Sequence, residues 1–219
     1  SCFHLRKSCM TDPLTQVIRL LRPRAVFSKG ISGAGAWAVR YAAFGHPGFC
    51  AVTEGRCRLA VEGEAPVILE EGDFVLLPAT PAFTMSGLTP APPLWIDPAT
   101  ALLPGQEIRH GRKEGPPDVR QFGGWFTFDA PDAGLLVSLL PGMIHVSGHD
   151  RLMALVPVIH EETRAARPGR GLILHRLLEV LLIEALRAGP AVAMSPGLLR
   201  GLADPQLAAA LQRIHADAG

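Results

Sequence analysis

Phe49-Cys50-Ala51-Val52-Thr53-Glu54-Gly55-Arg56-Cys57-Arg58-Leu59-Ala60-Val61-Glu62-Gly63 decides the fold class, together with Val67-Ile68-Leu69-Glu70-Glu71-Gly72-Asp73-Phe74-Val75-Leu76-Leu77-Pro78-Ala79-Thr80-Pro81-Ala82-Phe83. Two short apolar runs meet at Glu54-Gly55. That pair suits a tight reversal, because glycine tolerates positive φ. With those two residues as the loop, Val52 faces Cys57 and Cys50 faces Leu59. Strand side chains alternate with period two. Cys50, Val52, Cys57, Leu59 and Val61 then share one dry face, and Arg56, Arg58 and Glu62 lie on the other. Further turns fall at Gly63-Glu64-Ala65-Pro66 and at Glu70-Glu71-Gly72-Asp73. Short strands with turn chemistry at each break predict a small β-barrel or sandwich.

The flanks extend this pattern. Upstream, Asp12-Pro13 opens a helix with an N-cap acid and a proline at its first position. Leu14, Val17, Ile18 and Leu21 form its apolar stripe, and Pro23 ends it. Val26 to Phe44 reads as one or two strands around the flexible Gly30-Ile31-Ser32-Gly33-Ala34-Gly35. Those glycines lack the Gly-Lys-Ser/Thr ending of a phosphate loop. Trp37, Val39 and Tyr41 face one way, and Ala38, Arg40 and Ala42 the other.

Downstream, Thr89 to Pro104 is a Pro-rich crossing, and Gly105 to Val119 is a polar stretch holding Arg109-His110-Gly111-Arg112-Lys113. Strand character returns at Gln121 to Asp129. Asp150 opens a helical remainder, with Pro157 predicting a kink or a division into two segments. Gly171 to Arg187 is the strongest helix. Its leucines spread over more than one face needs, which points to a partner helix. Gly189-Pro190 stops it. Ser195 to Asp204 reads as a linker, and Asp204-Pro205 caps a last helix bearing Leu207, Leu211 and Ile214.

Composition narrows the function classes. Of 219 residues, 48% are hydrophobic and 19% charged, so the chain carries a core. Lys and Arg number 21 against 20 Asp and Glu, and a net charge of +1 is no electrostatic footprint for nucleic acid. Four cysteines at positions 2, 9, 50 and 57 form no disulfide framework, so the expected compartment is the reducing cytoplasm. Residues 1–9 lack an apolar signal-peptide core, and Met10 is a candidate natural start. Charged residues Arg176, Glu179, Glu184 and Arg187 exclude a membrane span in the leucine-rich helix.

The order strand, Glu-Gly turn, strand, Gly-Asp turn, strand, Leu-Pro resembles the cupin barrel. Its details resemble the N-terminal effector-binding cupin of AraC-type transcription regulators (the cupin-6 type). Gly72-Asp73-Phe74-Val75-Leu76-Leu77-Pro78 carries the first match. Gln121-Phe122-Gly123-Gly124-Trp125-Phe126-Thr127-Phe128-Asp129, the leucine run 135–140, Pro141-Gly142 and Met143-Ile144-His145-Val146 carry a more specific one. A third lies in Leu177-Leu178-Glu179-Val180-Leu181-Leu182-Ile183-Glu184-Ala185-Leu186-Arg187. The resemblance implies an α+β fold, a cupin-like β-barrel of jelly-roll type followed by a C-terminal helical subdomain. The expected divisions are an N-terminal segment and helix (1–23), the barrel (24–148), a helical dimerisation subdomain (149–190), and a linker with the start of a truncated helix-turn-helix region (191–219).

Metal cupins bring two close histidines and a Glu from the first hairpin, and a His after the second motif. This chain has one histidine there, His46. Cys50, Phe83 and Gly123 stand where the regulator family often keeps His, His and Cys. No metal and no cofactor are therefore expected, and Cys50 and Cys57 read as buried thiols. His145 reads as a structural histidine. The expected function is effector sensing and dimerisation in a regulator, not enzymatic. The alternatives are a metal-dependent cupin oxygenase, isomerase or decarboxylase, and a plain oligomerisation module with a filled barrel. Expected effector contacts are Trp37 and Trp125 as walls, Arg40, His46 and His110 as polar anchors, and Cys50 and Phe83. Leu174, Leu177, Leu178, Leu181 and Leu182 are expected at a homodimer interface. DNA contact is expected only through a C-terminal domain beyond this barrel.

Overall fold

One strand runs where two were expected. β3 (Gly48–Val61) passes through Glu54-Gly55 without reversing. The computed structural model describes residues 13–97, 107–130, 133–138 and 140–189. The expected linker and last helix at 191–219, Cys2, Cys9, Met10, Asp12 and the end of the Pro-rich crossing lie outside the described residues.

β3 forms ladders with four partners. Residues 48–51 pair with β5 (Asp73–Leu77), and 48–55 pair with β9 (Val119–Phe128). Residues 56–59 pair with β4 (Val67–Glu70), and 58–61 with β6 (Phe83–Ser86). Glu54 and Gly55 are thus ladder residues opposite Arg120 and Val119. The register slips by one residue between Val52 and Glu54, a β-bulge. Gly55 takes φ +70°, and a Cβ there would sit 1.9 Å from the Asp118 carbonyl oxygen. The Glu-Gly pair therefore bends a strand rather than reversing it. The extra residue shifts the alternation by one, so Val52 and Cys57 still point the same way. The expected dry face is present, made by a bulge instead of a hairpin. The expectation of one dry side fails for the first half of β3. Phe49 and Ala51 on its other face are also buried, at 4% and 0% exposure.

β1 (Pro23–Ala34) lies antiparallel to β9 and continues through the glycines expected to be flexible. β2 (Ala38–Tyr41) pairs with β6 and, in parallel, with β7 (Leu94–Ile96). β8 (Ile108–Gly111) runs parallel to β1, and β10 (Ile144–Ser147) closes on β5. The strands form one curled mixed sheet, a half-barrel. With helices packed on one outer face, it is the expected cupin-like α+β fold.

The helices cover only one half of the curl. α1 (Pro13–Leu21) buries the predicted Leu14, Val17, Ile18 and Leu21. α2 (Ala133–Ser138) occupies part of the leucine run. α3 (Asp150–Arg164) is a single helix; Pro157 sits at an exposed position and does not divide it. α4 (Arg170–Ala188) packs on α3, α1 and β1. Leu174, Leu178, Leu181 and Leu182 are 0–7% exposed in the core beneath α4, so these four turn inward. The apolar excess on its open side is Leu172, Ile173 and Val180, at 64, 44 and 39% exposure, with Leu177 half-buried.

His149 caps α3, its Nδ1 accepting from the Leu152 amide at 3.4 Å. That leaves its Nε2, 3.7 Å from Glu184, to carry the proton. Arg151 and Arg187 also reach the buried Glu184, which ties α3 to α4. His145 stands 3.1 Å from Asp73 and joins β10 to β5, a structural placement.

Candidate functional site

The inner face of the curl holds an apolar cluster that includes Tyr41, Val52, Cys57, Leu59, Val75 and Met85. Beside it lies a cavity of about 90 Å³. β1 supplies Phe27, Lys29 and Ile31 to its wall, and β9 supplies Gly123, Gly124 and Trp125. β2, β3 and β6 add Tyr41, Cys50 and Phe83. Gly124 keeps this region open, since a Cβ there would lie 2.4 Å from the Phe27 carbonyl oxygen and 2.6 Å from the Phe49 ring.

Lys29 is the only charged side chain lining this cavity. It is 8% exposed, and its Nζ lies 5.5 Å from the centre of the Tyr41 ring. Burial pulls its pKa down, and no carboxylate offsets that. Tyr41 stacks on Phe83 with centroids 4.8 Å apart. Its phenol is pushed up to about 12, by burial first and then by Cys50.

The other polar groups of the interior gather on Gln121, which is 2% exposed. Its Oε1 accepts from Cys50 Sγ at 3.2 Å and from Cys57 Sγ at 3.6 Å. Its Nε2 donates to Met85 Sδ at 3.6 Å. Burial raises both thiols, Cys57 to about 12 and Cys50 well above the usual range. Among the described residues, no three His, Cys, Asp or Glu side chains come together as a metal cluster.

The expected contacts divide. Cys50, Phe83 and Trp125 line the cavity. Trp37 and His110 do not; they stack on each other at 5.5 Å inside the curl. His110 is held down at about 4, by burial and then by Lys29 and Lys113, and its Nε2 has no hydrogen-bond partner. Arg40 points to the outer face, where its guanidinium lies over the Trp95 ring at 5.1 Å. His46 is exposed and stacks on Trp125 at 5.5 Å from outside the lining. The basic Arg109–Lys113 stretch is folded on itself. Arg109 donates to the Arg112 and Gly115 carbonyls at 3.0 and 2.7 Å, Lys113 donates to the Arg109 carbonyl, and Arg112 lies 3.8 Å from Asp118.

Lys29 and Tyr41 are the site residues that the sequence reading missed. The signal for Lys29 was the alternation Phe27, Lys29, Ile31, which places a lysine in an apolar row. Reading the neighbouring glycines as flexible hid it. The opposite face of β1 touches the helices. Ser28 Oγ lies 3.1 Å from His160 Nδ1 on α3, and His160 packs on Phe122 at 4.5 Å. His175 on α4 lies 2.7 Å from the Pro23 carbonyl.

Residues 12–189 match the Cupin_6 family, described as Cupin. A protein from Streptomyces lividans named AraC-like transcription regulator is 32% identical over 222 residues, covering 94% of this chain and 69% of its own length. One of the same name from Streptomyces antibioticus is 35% identical over 217 residues, with the same coverage. Among solved structures, unsaturated-fatty-acid-bound ToxT from Vibrio cholerae superposes with a TM-score of 0.45 at 7% identity, over 78% of this chain and 56% of that one. The chain thus spans just over half the length of that protein.

Proposed function

The chain belongs to the Cupin_6 family and to the AraC-like transcription regulators, and from that premise we propose that its barrel senses a small apolar organic acid. Lys29 is the observation that carries the acid. An ammonium held in an apolar cavity without a carboxylate costs several kcal/mol. A ligand carboxylate supplies the missing pair, while Phe27, Phe83 and Trp125 offer apolar contact. The enclosed space is small; a cavity of about 150 Å³ holds benzene. A short chain fits this better than a bulky ring system.

Binding of hexanoate and of 1-hexanol, followed by tryptophan fluorescence beside Trp125, tests the reading. Hexanoate is expected to bind at least about tenfold tighter than the alcohol, and Lys29→Met to remove the difference. Equal binding of acid and alcohol to the unaltered chain would refute it.

Pairing of two chains is part of the same proposal. The open side of α4, with Leu172, Ile173 and Val180, is an apolar stripe of the kind that marks an interface. A two-fold axis beside it would make the contact self-complementary. Ile173→Glu with Val180→Glu should then give folded monomers in sedimentation, whereas Leu178→Glu should unfold the domain. DNA contact is assigned to the part of the curated relatives that this chain does not span. The net charge of +1 supports that, since it leaves little for phosphate neutralisation.

A further inference from the structure

Three sulfur atoms meet at one buried amide. The Cys50 and Cys57 thiols share Gln121 Oε1, and the Met85 thioether lies against Gln121 Nε2. Thiols are weak donors and a thioether is a weak acceptor. A 2%-exposed amide satisfied only by sulfur is poorly paired for its burial. Packing alone does not require that choice, since leucine or methionine would fill the same volume without a polar group. The geometry points to a sulfur-only site for a soft monovalent metal ion, Cu(I), inside the barrel.

The donor set selects the metal class. Thiolate and thioether sulfurs favour Cu(I), whereas carboxylates and water favour Mg, Ca or Mn. The sequence reading looked for the imidazole–carboxylate set of metal cupins and expected no metal; a site made of Cys50, Cys57 and Met85 is a different one. Cys50 and Met85 line the cavity, which gives an ion a way in. On binding, both thiols lose their protons to solvent, two S–Cu bonds form, and the Gln121 amide swings aside. Copper stays Cu(I) throughout, so no oxidant or reductant takes part. The bis-thiolate complex carries one negative charge, and Lys29 in the same cavity offsets it. The site stands apart from the effector reading, because its ligands include neither the Lys29 ammonium nor the aromatic wall.

The test uses the full chain with Cys2→Ser and Cys9→Ser, so that those thiols cannot contribute. Cu(I) is titrated without oxygen against a chromophoric chelator. One ion per chain is expected, with two protons released. Cys57→Ser should weaken binding by about 100-fold and Met85→Leu by about tenfold, in line with loss of a thiolate and of a weaker thioether ligand. X-ray absorption of the loaded protein should show a shell of sulfur alone. Absence of Cu(I) binding, unchanged affinity in both folded variants, or a shell of nitrogen or oxygen would each overturn the site. If Cys57→Ser does not fold, the absorption spectrum and Met85→Leu decide it. Failure of the hexanoate test would leave this result untouched, and the reverse holds as well.

Discussion

The two halves of the curl are built on different terms. The half made of β1, β9, β5, β10 and the start of β3 is dry on both faces, with the cavity inside and α1, α3 and α4 outside. The half made of β2, β4, β6, β7 and the end of β3 is dry on its inner face only. Its outer face carries Arg40, Arg56, Arg58 and Ile68. Two-sided burial makes strands read as continuous apolar runs, and one-sided burial makes them alternate. Phe74-Val75-Leu76-Leu77 and Arg56-Cys57-Arg58-Leu59 show the two patterns in one chain. A ligand in the cavity touches both halves, but only the helix-backed half can pass a shift on to packed helices. Lys29 faces the cavity while its neighbour Ser28 meets His160 of α3.

Substitutions can break or sharpen this contrast. The largest expected loss is at Leu178, fully buried between α4 and the sheet. Leu178→Ala should cost about 3 kcal/mol in denaturant unfolding. Next is the joint between the halves. Gly55→Ala places a methyl group against the Asp118 carbonyl at positive φ, and should cost about 2 kcal/mol.

A pH effect comes third. His110 is held near 4 by burial, below its unfolded value of 6.5. The unfolded chain therefore binds more protons between those values. This contribution is complete above pH 6.5 and is lost as pH falls towards 4. His110→Phe keeps a ring against Trp37 and should flatten that part of the stability–pH curve. An unchanged slope would mean that His110 is not the group responsible. Smallest is Ile68→Ala on the solvent-backed half, where the side chain is 40% exposed. A change within about 0.5 kcal/mol is expected. A loss there as large as at Leu178 would mean that something covers this face too.

The sequence was most readable where period and face coincide. Cys50, Phe83 and Trp125 reached the cavity because strand parity places them inside. Parity also held the correct answer for Arg40, which alternates with Val39 and Tyr41 and so points outward. Trp37 and His110 show what parity omits. It tells inside from outside, but not how far along the inside a side chain lies. In α4 the width of the apolar stripe was legible, but not which arc meets the core. That depends on β1, which is far away in sequence. Glu54-Gly55 misled because a glycine at positive φ serves a bulge as well as a hairpin, and only the β9 partner decides between them. The Gln121 cluster was invisible for the same reason, since its members come from three strands.

The bulge in β3 has a genetic consequence. It works as a phase correction, carrying the strand from even-numbered inward residues before it to odd-numbered ones after it. Loss of one codon between Val52 and Gly55 would leave the strand paired but invert everything downstream. Arg56 and Arg58 would turn into the barrel, and Cys57, Leu59 and Val61 would turn out to water. The same loss in the Glu62-Gly63-Glu64 turn would only shorten an exposed connection. Length variation in this chain is therefore constrained by phase rather than by distance from the cavity, and the least tolerant point is a pair of residues that touches no ligand.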